Sequence, residues 1–254
     1  MSISVSAITT YPIKGFPGQT HDSMMAIEGA VLPGDRAYGL TSGTQASQEA
    51  DKHSWLKKSH FLQMMTKEAL AEFALSYDEG TSHLKLMVGD ELFFEGHLQD
   101  EERAEALCKK IASYLCYDEA QEIPRLFHMK QGGLTDTKTP FVAFGNQASM
   151  TDFAHKVNID DDDRRYRLNI MLSGLPAFGE NDLLGKTARI GAAEFHFVEP
   201  VGRCAAIEVA PKTAVREKGL VSALQKLYGM TDMGLFASVA KTGQISVGDK
   251  VEII

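Results

Sequence analysis

Gly243-Gln-Ile-Ser-Val-Gly-Asp-Lys-Val-Glu-Ile-Ile254 places short β-branched and polar runs on either side of a Gly-Asp turn, the pattern of paired strands in a small barrel. Gly185-Lys-Thr-Ala-Arg-Ile-Gly191 carries the same signature, a strand bounded by glycines. Outward from these two stretches, residues 168–172, 187–190, 194–198, 205–209, 235–239 and 250–254 read as strands, with a helix at 218–227. Residues 141–144 read as a strand leading into a short helix at 146–156.

The first hundred residues are strand-rich as well, at 3–10, 24–27, 37–41, 73–77, 83–88 and 91–94, and Gly89-Asp90 joins two of these runs as a hairpin. Residues 99–115 form the clearest helix, with acids at its start and lysines toward its end, as the helix dipole favours. Residues 42–59 are polar without a period and predict a flexible excursion; residues 128–140 predict a long glycine- and threonine-rich loop. The expected fold is β-rich α+β: an N-terminal β-barrel-like module, residues 1–122, packed on a C-terminal β-barrel, residues 123–254, with a few short helices.

The chain has 254 residues, 44% hydrophobic and 24% charged, the composition of a soluble globular protein. A net charge of −8 argues against general nucleic-acid or membrane-surface binding, so an anionic ligand needs a local basic cluster. No apolar run approaches the roughly 20 residues of a membrane span, and the N-terminus reads as a first strand rather than a signal peptide. Three cysteines favour a reducing, cytoplasmic setting over a disulfide framework.

Cys108 falls on the apolar stripe of its helix, and Cys116 reads as structural. Cys204 differs: in Val201-Gly-Arg-Cys-Ala-Ala-Ile-Glu-Val209 it follows a strand and a turn, with Arg203 beside it to favour a thiolate. Lys14 and Arg36 sit in proline- and glycine-bounded turns, and Arg167 and Asn169 alternate on one face of an expected strand. Taken singly, Lys14 and Arg36 read as solvated turn charges. Arg164 and Arg165 read as partners of the acidic run at residues 160–163, and His196 as a strand-surface residue. No histidine spacing suggests a zinc site.

Together, Tyr11-Pro-Ile-Lys14, Gly34-Asp-Arg36, Arg167-Leu-Asn-Ile170, Gly202-Arg-Cys204 and Ile245-Ser-Val-Gly-Asp-Lys-Val251 resemble the MOSC domain family and the β-barrel module that precedes it, in the amidoxime-reducing branch. The resemblance implies a molybdenum-cofactor oxidoreductase that reduces N-hydroxylated or N-oxygenated small molecules with electrons from a separate donor protein. It implies that Cys204 ligates molybdenum and that Lys14, Arg36, Arg167, Asn169 and Arg203 surround the pterin and its phosphate. Asp136 and Thr139, in Thr135-Asp-Thr-Lys-Thr-Pro140, are the implied polar groups near the metal; pyridoxal phosphate binding is a further family-level association. Two departures stand out: Leu168 replaces a proline, and Val209-Ala-Pro-Lys-Thr-Ala214 replaces an Asp-Pro-x-Thr-Gly turn. The competing expectations are a sulfur carrier using a Cys204 persulfide and a non-catalytic cofactor-binding module.

Overall fold

The computed structural model describes residues 2–50, 56–117, 122–129 and 132–254. Strands β1 (Ser4–Thr10), β2 (Ile13–Lys14), β3 (Gln19–His21), β4 (Ser23–Ala26) and β5 (Tyr38–Leu40) precede helix α1 (Thr44–Ala50). A meander of β6 (Phe73–Asp78), β7 (His83–Val88) and β8 (Glu91–His97) leads into α2 (Glu101–Tyr114). Strands β9 (Leu126–His128) and β10 (Val142–Asn146), helix α3 (Gln147–Val157) and strand β11 (Ile170–Ser173) follow. The remaining elements are β12 (Thr187–Ile190), β13 (Ala193–Gly202), α4 (Leu220–Tyr228), β14 (Asp232–Lys241), β15 (Gly243–Ser246) and β16 (Val251–Ile253).

Eight strands form one sheet in the order β16-β12-β13-β14-β10-β11-β1-β3. Only β10 and β11 are parallel, and α3 supplies the crossover that a parallel pair requires. The sheet curls until its ends meet. Val5 N–H donates to Asp249 O at 2.9 Å and Val251 N–H to Ile3 O at 3.0 Å, closing the barrel beside β16. Alternate residues point inward, so Ile8, Val142, Phe144, Ile170, Phe195, Phe197 and Leu235 fill the barrel. A separate core joins the β6–β8 meander to Leu107, Cys108 and Ile111 of α2. Asp100 caps that helix, its carboxylate accepting from the N–H groups of Glu102 and Arg103.

The sheets do not divide at residue 122. Strand β1 lies in the barrel sheet between β11 and β3, and β4 pairs with β15. The N-terminal thirty residues therefore lace the first module into the second. Three further local expectations change. Residues 205–209 are not a strand: Ala205–Glu208 is a single 3-10 turn, since its apolar residues lack the alternation a ladder needs. Part of the polar excursion is the helix α1; residues 51–55 lie outside those described. The expected loop at residues 128–140 begins on the last residue of β9, which pairs antiparallel with β5; residues 130–131 of the loop lie outside those described. Among the described residues, no helix is long and apolar enough to cross a membrane.

Phe144 is 1% exposed and packs edge-on against Phe195 and Phe197, with both ring centroids at 5.1 Å. Replacing it with alanine leaves a cavity at the barrel centre and should cost about 3–5 kcal/mol, read as a lowered midpoint in urea denaturation.

Candidate functional site

Tyr11 directly follows β1 and lies where the two modules meet. Its N–H donates to Asp35 Oδ1 at 2.8 Å, and its hydroxyl donates to Leu168 O at 3.1 Å. Two guanidinium groups stack on its ring, Arg36 at 4.8 Å and Arg167 at 4.5 Å from the centroid. Burial is the main influence on the phenol, pushing it up to about 12 against the pull of both arginines, so it stays protonated and donating.

Both arginines have left-handed backbones, with φ of 53° at Arg36 and 56° at Arg167. Such a conformation costs an L-residue about 1–2 kcal/mol and marks sites where surroundings over-determine the backbone. Arg36 is paired with Asp35 and donates to Arg167 O at 3.1 Å. Arg167 donates to Phe16 O and faces Met64 Sδ at 3.8 Å. Burial, reinforced by Arg36, brings Arg167 down to about 10, so both cations persist at neutral pH.

Lys14 follows Tyr11-Pro-Ile on β2 and is 5% exposed. Its Nζ donates to Leu134 O at 2.6 Å and to Asp136 Oδ1 at 2.7 Å. Gly15 makes the turn after it: φ is +84°, and a Cβ there would lie 2.2 Å from Leu62 O. Burial lowers the Lys14 pKa while Asp136 opposes the shift. For Asp136, burial works upward but Lys14, Lys58 and Arg36 outweigh it, and its carboxyl lies below the usual range.

Cys204 precedes the 3-10 turn, and its carbonyl accepts from Ile207 N–H at 3.1 Å. It is partly exposed. Arg203 beside it donates to Tyr166 O at 2.8 Å and Val201 O at 3.2 Å. Burial brings Arg203 down to about 10, against the opposing influence of Cys204 and Asp136.

Lys14, Arg36, Asp136, Arg167, Arg203 and Cys204 line a cavity of about 250 Å³, the size of a small molecule. Its described lining holds six cations (Lys14, Arg36, Lys58, Arg165, Arg167 and Arg203) against one carboxylate, Asp136. Cys204 and Asn169 share the same wall. Thr139 is not part of this lining; its carbonyl accepts from Thr137 Oγ1 at 2.8 Å and Phe141 N–H at 2.9 Å.

Residues 138–252 match the model of the MOSC domain family. The match takes in Thr139, Arg167, Asn169, Arg203 and Cys204, whereas Lys14, Arg36 and Asp136 reach the cavity from outside it. Among solved structures, the YuaD protein of Bacillus subtilis aligns over 100% of this chain and 96% of its own, at 13% identity and TM-score 0.46. YiiM from Geobacillus stearothermophilus aligns over 44% of this chain and 53% of its own, at 18% identity and TM-score 0.37. YiiM from Escherichia coli covers the same shares at 16% identity and TM-score 0.35. No curated protein matches the sequence.

Within the matched segment, Arg167 and Asn169 do not share a strand face. Arg167 ends the 3-10 turn Asp163–Tyr166 and β11 begins only at Ile170; the left-handed turn, not strand alternation, brings Arg167 to the cavity. Asn169 ties the scaffold together, since its Oδ1 accepts from Ala143 N–H and its Nδ2 donates to Thr9 O, both at 3.1 Å. Arg164 pairs with Asp162 as its charge block suggests. Arg165 does not: its side chain is 1% exposed and its Nη1 lies 2.7 Å from Glu217 Oε2 and 2.8 Å from Ile207 O. Lys14 and Arg36 are likewise buried rather than solvated, and Cys116 is exposed. Lys58 carries no motif that marks it; Tyr11 and Asp35 lie inside Tyr11-Pro-Ile-Lys14 and Gly34-Asp-Arg36 without being singled out there, and Arg165 was read only as a partner of the acidic run.

Two outcomes follow. Asn169→Ala strands the buried Ala143 N–H and should cost about 1–3 kcal/mol, read by chemical denaturation. Asp136→Asn removes the charge that sustains protonated Lys14, so the Lys14 ammonium should titrate at lower pH, followed by NMR of Nζ. Because folding lowers the Asp136 pKa, its contribution is present above the ordinary carboxylate value of 3.8 and vanishes as pH falls through the lower folded value. The stability gap between the native chain and Asp136→Asn should close over that acid window.

Proposed function

We propose that this protein is a molybdenum-cofactor-binding oxidoreductase that reduces N-hydroxylated or N-oxygenated small molecules. Some members of the MOSC family bind this cofactor. The observation that carries the reading is the gathering of six cations and one partly exposed thiol around a single cavity in an acidic chain. That donor set suits a phosphate-bearing cofactor. Arginine offers a planar fork for phosphate oxygens, and Cys204 offers a soft thiolate ligand. The described residues hold no cluster of three His, Cys, Asp or Glu side chains for a bare metal ion. A metal at Cys204 would arrive with most of its ligands, as a pterin dithiolene provides.

Cys204 would hold the metal, Lys14, Arg36 and Arg167 the anionic part of the cofactor, and Arg203 the charge beside the thiolate. When bound, the cofactor supplies two-electron redox chemistry. The net reaction is R–NH–OH + 2 electrons + 2 protons → R–NH2 + H2O, with electrons from a separate electron-carrier protein and protons from solvent. Lys14 Nζ, lowered in pKa and held by Asp136, can pass a proton into the cavity.

The test is molybdenum and pterin analysis of protein made in a cofactor-competent host, together with reduction of a hydroxylamine compound by a reduced viologen. The native chain should hold both metal and pterin and turn over. Cys204→Ala should lose molybdenum and at least a hundredfold in turnover, on the order of the loss of an essential ligand contact. A native chain that takes up no molybdenum overturns the reading; one added sulfur on Cys204 without pterin replaces it with sulfur carriage.

A further inference from the structure

Outside residues 138–252 lies a second cavity, of about 320 Å³. It shares no described lining residue with the cation-lined one. Its apolar lining comes from Val31, Leu32 and Pro33, ahead of β5, and from Met129, directly after β9. The pairing of β5 with β9 brings these segments together, and Met129 N–H donates to Ala37 O at 2.8 Å. The polar lining includes Tyr77 near the end of β6, Glu79 just beyond it, Gln99 and His128.

Charge sets the two cavities apart. Six cations line the first, whereas the described lining of the second holds no lysine or arginine and one carboxylate, Glu79. The Glu79 side chain runs along Gly34, whose φ is +72°: a Cβ there would lie 3.8 Å from Glu79 Cβ and Cδ and 3.6 Å from Tyr77 Cε1. The carboxyl group is thereby kept beside the Tyr77 ring. Behind that ring, Tyr38 is 1% exposed. His128 stacks on it with centroids 4.4 Å apart, and Tyr77 meets it edge-on at 5.9 Å. The Tyr38 hydroxyl is buried without a partner in hydrogen-bond geometry, although it is close enough to the Tyr77 phenol to add to the upward push that burial gives that group. Buried tyrosine hydroxyls ordinarily have partners. A donor seated beside Tyr77 would supply one.

We propose that this second cavity binds a small protonated amine with an apolar body. The ammonium pairs with Glu79 and donates to the phenol oxygens at Tyr77, where it also lies near an aromatic ring that attracts cations. The apolar body covers Val31, Leu32 and Met129, removing their surface from water. An anion would meet Glu79 with no described cation to offset it. The proposal does not depend on a cofactor in the first cavity.

The test is calorimetric binding of phenethylamine, phenethyl alcohol and phenylacetate to the native full chain, Glu79→Gln, Ala30→Trp and Asp136→Asn, each checked for thermal unfolding. The native chain should bind the amine about fivefold more tightly than the alcohol, the upper range for an exposed ion pair, and phenylacetate more weakly than either. Glu79→Gln should bring the amine to the level of the alcohol and leave the alcohol unchanged. Ala30 lines the cavity, so Ala30→Trp fills it and should abolish binding of both. Asp136→Asn removes the one carboxylate of the first cavity and should leave amine binding as it was. Three results overturn the proposal: no amine binding by the native chain, equal binding of amine and phenylacetate, and an amine preference that survives in folded Glu79→Gln. Loss of amine binding in folded Asp136→Asn also overturns it, because the amine then occupies the first cavity.

Discussion

Two guanidinium groups share the ring of Tyr11, and neither could stay there without the barrel and the first module holding it from opposite sides. Like charges in a buried place repel, and their desolvation is costly. The quadrupole of the ring, the Asp35 carboxylate and the carbonyls of Arg167 and Phe16 offset that cost. Arg36 and Arg167 come from distant parts of the sequence, yet both need a left-handed backbone to reach the ring. The junction is therefore a strained, positively charged surface maintained by packing on every side. Such a surface is already organised before an anion arrives.

The Cys204 turn is anchored in the same manner. From the barrel side, Arg165 reaches the Ile207 carbonyl at 2.8 Å. From the other side, the segment after the turn docks on the first module: Val209 enters its core, and Lys212 N–H donates to Ala71 O at 3.0 Å. Arg216 completes the clamp, with Nε 2.7 Å from Glu68 Oε1 and Nη2 donating to Met65 O at 2.8 Å. Val209-Ala-Pro-Lys-Thr-Ala214 thus carries an inter-module contact. Met65 adjoins Met64, which lines the cavity, so one guanidinium steadies both walls.

Most strands of the barrel were legible because β12 to β16 carry alternating runs bounded by glycine, and local pattern determines local conformation. Helices α2 and α3 were legible from their periodicity and caps. The lacing of β1 and β4 into the barrel was not, because strand pairing across more than 160 residues leaves no trace in local composition. At the site, Lys14, Arg36, Arg167, Asn169, Arg203, Asp136 and Cys204 do come to one cavity. What the residues could not reveal was which polar groups already had partners. Asn169 looked like a ligand-facing amide and instead ties Thr9 to Ala143; Arg165 looked solvated and lies buried beneath the turn. Burial and hydrogen-bond partners are tertiary facts, and a charged residue's place in an acidic run does not encode them.

An overall charge of −8 and a cationic cavity are compatible for a reason of range. Surface carboxylates act through water and salt, which screen them beyond about 8 Å at physiological ionic strength. The cavity cations act on one another and on a ligand across a poorly solvated space, where the same charges interact several times more strongly. An approaching anion meets weak repulsion outside and strong attraction only after it enters. Capture then depends on fitting the cavity rather than on long-range steering, and raising the salt should weaken it less than it would weaken binding to an open basic patch. Such a charge distribution suits the small anionic ligand of the proposed reading.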